Sequence, residues 1–120
     1  MNPLQQHERD TRLLHIAEAG QEILALTEGF TYEDFSHDRR TSLAIERLLI
    51  TIGEALNRAL IADPALSDRV SAARRITGFR HRLVHDYPEV DYEVVWTVLH
   101  DHLPRLLAEV RSLLPPSPAP

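Results

Sequence analysis

The chain of 120 residues, 43% of them hydrophobic, is long enough for one core and too short for two domains of ordinary size. It has no cysteine, which excludes a disulfide framework, a thiolate nucleophile and sulfur ligation of a metal, and leaves chemistry to His, Arg, Asp, Glu, Ser, Thr or Tyr. A net charge of -5 argues against nonspecific coating of nucleic acid; without ~18 consecutive apolar residues or a signal-like start, no membrane association and a cytoplasmic location are expected.

The first predicted helix runs from Leu4 to Leu26, where Leu13, Leu14, Ile16, Ala17, Ile23, Leu24 and Leu26 recur at helical spacing between charged residues. Gly29 can stop it, and Thr31 or Ser36 can cap the next helix. That second helix, from about Ser36 to Ala62, carries an apolar stripe broad enough to be central: Leu43, Ile45, Leu48, Leu49, Ile52, Ala55, Leu56 and Leu60. Asp63-Pro64 ends it, because a residue before proline is pushed out of the helical region. After a connection through Asp68, a third helix is expected from near Arg69 to His85, closed by Tyr87-Pro88. Asp91 can cap a fourth, reaching about Leu114 through Val94, Val95, Val98, Leu99, Leu103, Leu106, Leu107 and Val110. Pro104 interrupts that pattern and predicts a kink or split there. No period-two run bounded by turns is present. The expected fold is an all-α, up-and-down four-helix bundle over residues 1–114, followed by a disordered proline-rich tail, 115–120.

All 13 basic residues are arginines. Arg69, Arg74, Arg75, Arg80 and Arg82 crowd the third helix together with His81 and His85, with no acid among them. Arg80 and His85 form an R-x4-H pattern, with Tyr87 two positions on. Five residues turn an α-helix by roughly 140°, so Arg80 and His85 share a face only if the helix ends near His85. Arginine and histidine suit metal-independent RNA cleavage. An imidazole near neutral pKa can take a proton from a ribose 2'-hydroxyl or give one to the leaving 5'-oxygen, while a guanidinium clamps the phosphoryl oxygens. One motif supplies few groups, but a two-fold dimer packing this helix against its copy would double them at one phosphate.

The stretch RHRLVHDY resembles the R-polar-x-x-x-H-x-Y signature of HepT-type proteins of the HEPN superfamily. The segment SLAIERLLITIGEALNRAL (residues 42–60) is similar to that family's second helix, and YEVVWTVLHDHLPRLL (92–107) to its fourth, internal proline included. The resemblance implies a HEPN-like bundle and a ribonuclease toxin cleaving tRNA or mRNA, with Arg80 and His85 catalytic and His81 in a polar place often held by asparagine. It also implies a homodimer with the cleft at its interface. Neutralisation would come from a minimal nucleotidyltransferase antitoxin, in some members by transfer of AMP to the tyrosine matching Tyr87, which would put a bulky anion beside Arg80 and His85. No cofactor is implied.

Other readings compete at several positions. Cations at a helix carboxyl end favour the helix dipole whatever their function. His81 and His85 have the spacing of two metal ligands on one helix, but no third ligand is evident; His100 and His102 are more simply surface residues. Arg74, Arg75 and Arg82 are candidate RNA contacts, although Arg69, Arg74 and Arg75 could equally solvate the helix start. Glu54 could orient Arg80 or a dimer contact, or pair with Arg58 at i,i+4. Gly53 is expected to permit close helix packing, and Trp96 and Phe79 to serve core or interface. The competing function is a non-catalytic HEPN module that binds a nucleotidyltransferase or a nucleotide.

Overall fold

The computed structural model describes residues 1–85 and 91–115 and, for His85, the backbone alone. Among these residues the fold is all-helical. Helix α1, Pro3–Leu26, begins at a capping box in which the Asn2 side chain accepts from the Gln5 N–H and the Gln5 side chain accepts from Asn2 N–H. It ends as the Thr27 hydroxyl bonds the Ile23 carbonyl at 2.9 Å, and Gly29 takes the left-handed conformation, φ 78°, that turns the chain.

The expected second helix is present, and a short helix that the sequence did not announce precedes it. Thr31 caps a short α2, Tyr32–Ser36, so Ser36 closes that helix and does not open the next. The long α3, Arg39–Ala62, starts from Asp38, whose carboxylate accepts from the Thr41 N–H and hydroxyl at 3.0 and 2.9 Å. These bonds hold the Asp38 carboxyl below its ordinary pKa. The short α2 places Phe35 in the core, edge-on to Tyr92 and tilted against Trp96 with centroids 5.9 and 5.4 Å away. Trp96 thus belongs to an aromatic cluster joining α2 to the last third of the chain.

Asp63 ends α3 and caps a 3-10 turn, Pro64–Asp68; Arg9 on α1 donates to it at 3.1 Å. Helix α4, Ala73–His85 within the described residues, then starts later than expected. The difference arises at Val70, which is buried in the turn and bonds back to the Leu66 carbonyl, and at Ser71, whose N–H and hydroxyl both donate to Glu109 at 2.9 and 3.1 Å. Asp91 caps α5, Tyr92–Thr97. A π turn, Val98–His102, separates it from α6, Leu103–Leu113. Pro104 has no N–H for the His100 carbonyl, and the chain answers by widening the turn before it, the Leu103 N–H donating to Val98 five residues back. The break therefore falls ahead of the proline.

Leu13, Ile16, Ile23, Ile45, Ile52, Leu56, Leu103, Leu107 and Val110 form the centre of the core, with α1 packed along α3 and α6. Gly20 lets α1 approach α6, since a Cβ there would strike the Leu107 methyls. Helix α4 leans chiefly on α3. Residues 116–120, most of the proline-rich tail, lie outside the described residues. No described helix is long and apolar enough to cross a membrane.

Candidate functional site

Helix α4 carries the R-x4-H pattern because its apolar residues, Ala73, Ile76, Phe79 and Leu83, face the bundle and leave its arginines toward the rims and solvent. Arg80 sits on the rim nearest α3. Its stem lies on the backbone of α3 at Gly53: a Cβ added there would overlap the Arg80 Cβ and stand 2.9 Å from its Cγ and 3.2 Å from its Cδ. The expectation of close packing at Gly53 is met by Arg80 itself. Its guanidinium Nη1 lies 3.7 Å from Glu54 Oε1, the side chains being 28% and 52% exposed. At that length and exposure the pair stabilises the fold little, and most of the five guanidinium donors stay available. Of the readings open for Glu54, the structure thus pairs it with Arg80, while Arg58 lies within electrostatic reach of Glu8.

His81 is exposed on the outer side of α4, one turn before His85, the last described residue of the helix. The His85 side chain and Tyr87 lie outside the described residues. Between Arg74 and His81 the outer face is open at Gly78, where an added Cβ would meet nothing.

On its other rim α4 stands away from α5 and α6, leaving a cleft of about 580 Å³. Arg75 and Arg82, two turns apart on one helical face, line one wall, and Asp91, Glu93 and Thr97 line the opposite wall. Its floor is apolar, with Phe79, Ile52 and Leu106 among its residues. Arg74 opens instead onto a neighbouring hollow that shares Arg75 and His102 with the cleft. The predicted RNA-contact residues thus border two neighbouring depressions, and Arg80 occupies the opposite edge of α4. Arg69 joins neither, lining a separate hollow by Arg9 and Asp63.

Sequence reasoning did not single out Glu46. It shares the face of α3 that carries Gly53, its Oε2 is sealed from solvent without a hydrogen-bond partner among the described residues, and burial pushes its carboxyl above the ordinary range against the pull of Arg39. The one signal was a carboxylate within an apolar stretch. Among the described residues, no three His, Asp or Glu side chains converge so as to hold a metal ion.

The family model described as Ribonuclease HepT-like matches residues 16–113. A protein from Thermococcus cleftensis, named as a candidate ribonuclease HepT, is 32% identical over 98 residues, covering 82% of this chain and 88% of its own. One from Caldanaerobacter subterraneus subsp. tengcongensis, named as a candidate RNase, is 28% identical over 102 residues, 85% of this chain and 90% of its own. Another named so, from Methanocaldococcus jannaschii, is 27% identical over 102 residues, 85% and 84% of the two chains. No solved structure matches the chain.

Proposed function

Since the chain belongs to the HepT-like ribonuclease family of the HEPN superfamily, we propose that it is a metal-independent RNA endonuclease that cleaves single-stranded regions of tRNA or mRNA as the toxin of a toxin-antitoxin pair. The observation that carries this reading is the seat of Arg80. Its stem is fixed on Gly53 and its head lightly tethered to Glu54, so a guanidinium is held on the same helix five residues before His85. A preoriented guanidinium stabilises the charge that builds on phosphoryl oxygens at little cost of reorganisation.

In the proposed reaction one histidine, His85 or His81, takes the proton from a ribose 2'-hydroxyl. That oxygen bonds to the adjacent phosphorus while the bond from phosphorus to the 5'-oxygen breaks, and a second imidazole gives the leaving oxygen its proton. The products are a 2',3'-cyclic phosphate and a 5'-hydroxyl. Two copies of the chain about a two-fold axis would supply the paired histidines, and the exposed outer face of α4, open at Gly78, leaves room for close approach. Arg74, Arg75 and Arg82 would guide the strand. A nucleotidyltransferase antitoxin would silence the site by moving AMP from ATP to the Tyr87 hydroxyl with release of pyrophosphate, placing negative charge near the cationic groups.

The test is cleavage of tRNA by the purified protein beside Arg80→Ala, with mass measured by light scattering. The reading requires a dimer and cleavage lost in the variant; cleavage by a stable monomer contradicts the shared site.

A further inference from the structure

The hollow beside the start of α4, about 510 Å³, is walled by Arg74 and Arg75 from that helix and by His102 and Arg105 from the π turn and α6. Ser67 and Ser71 complete its polar lining, and among the described residues no carboxylate lines it, the nearest shown being Glu109 behind Ser71. Arg74, Arg75 and Arg105 make no ion pair among the described residues. For Arg105 the structure shows one reason, on its carboxyl-terminal side. Glu109 lies four residues later on α6, at the spacing of a helical ion pair, yet its two carboxylate oxygens are taken by the Ser71 N–H and hydroxyl at 2.9 and 3.1 Å. One carboxylate near Arg105 in the chain is thus committed to fixing the approach to α4. Three exposed guanidiniums left facing one depression repel one another, and an anion held among them relieves that repulsion; their forked donors match phosphate.

Arg75 and His102 line both this hollow and the larger cleft, so the two lie side by side along α4. From Arg75 to His85 the helix rises about 15 Å, too far for one phosphate to be held at both ends of α4. We infer that Arg74, Arg75, His102 and Arg105 form a phosphate subsite for the substrate strand, gripping a phosphate some nucleotides from the scissile one and laying the RNA along α4. The inference rests on the ribonuclease reading only in taking the phosphate to be that of RNA.

A short single-stranded RNA methylated at every 2'-oxygen cannot be cleaved by 2'-hydroxyl attack, so its binding is measured apart from catalysis. By fluorescence anisotropy at low salt, Arg105→Gln is expected to weaken binding about fivefold and to lower the slope of log Kd against log salt by roughly 0.7, one phosphate contact. Arg105→Lys should recover most of the loss. Arg111→Gln removes the same charge from the same helix outside the hollow and should bind as the wild type does. Equal weakening by Arg105→Gln and Arg111→Gln, no weakening by Arg105→Gln, or a wild type that does not bind the strand would overturn the subsite. Selective weakening in a protein that cleaves no unmodified RNA would leave the subsite standing and overturn the ribonuclease reading.

Discussion

The stem of Arg80 rests on the α3 backbone at Gly53, close enough that a methyl group at residue 53 would occupy the place of the arginine's Cβ and Cγ. Because a Cβ is fixed to its own backbone, relief requires α4 to move off α3. Gly53→Ala should therefore cost about 1–3 kcal/mol of stability, the usual penalty of overpacking, and displace the guanidinium. Gly20→Ala presses on Leu107 methyls remote from α4 and should lower stability while sparing cleavage. Denaturant unfolding beside tRNA cleavage for both variants checks this; equal activity in the two contradicts it.

Arg80→Lys keeps the charge and loses the fork, so cleavage should fall by about 100-fold, the scale of removing one donor from a preorganised anion site. Glu54→Gln removes only a long, half-exposed ion pair and should slow cleavage by roughly fivefold at most. Single-turnover rates at saturating RNA distinguish the two; a larger effect at Glu54 would make its carboxylate part of the chemistry.

The partly buried carboxyl of Glu46 sets a pH dependence of stability. Its folded pKa lies above the ordinary 4.5, so the unfolded chain loses the proton first. Stability falls as pH rises through that interval, and the cost is fully present above the folded value. Glu46→Gln should raise Tm at neutral pH and have little effect below 4.5. A Tm difference independent of pH would contradict the assignment.

Phe35 is wholly buried against Trp96 and Tyr92, and Phe35→Ala should cost about 3–5 kcal/mol. Trp96 is the one tryptophan, so its fluorescence reports the unfolding directly.

The long helices were legible because their apolar residues keep the helical period, and Gly29, Asp63-Pro64 and Asp91 mark their ends by plain backbone chemistry. The short α2 was not legible, since five residues carry no readable period and the packing of Phe35 depends on aromatic rings some sixty residues later in the chain. The start of α4 was misplaced because Ser71 and Glu109 meet only in three dimensions. Pro104 announced a break but not its form, a π turn on the amino-terminal side. Of the site, the residue types and their spacing were readable; the Gly53 seat and the convergence of Arg105 and His102 on Arg74 and Arg75 required the fold.

The most direct measurement is incubation of the purified protein, shown free of AMP by intact mass, and of His85→Ala with total tRNA in EDTA, reading fragments and the phosphatase sensitivity of their ends. Cleavage by the wild type alone, leaving 2',3'-cyclic phosphates, is the expected result. Absence of cleavage, cleavage that EDTA abolishes, or equal cleavage by His85→Ala would contradict a metal-independent ribonuclease built on α4.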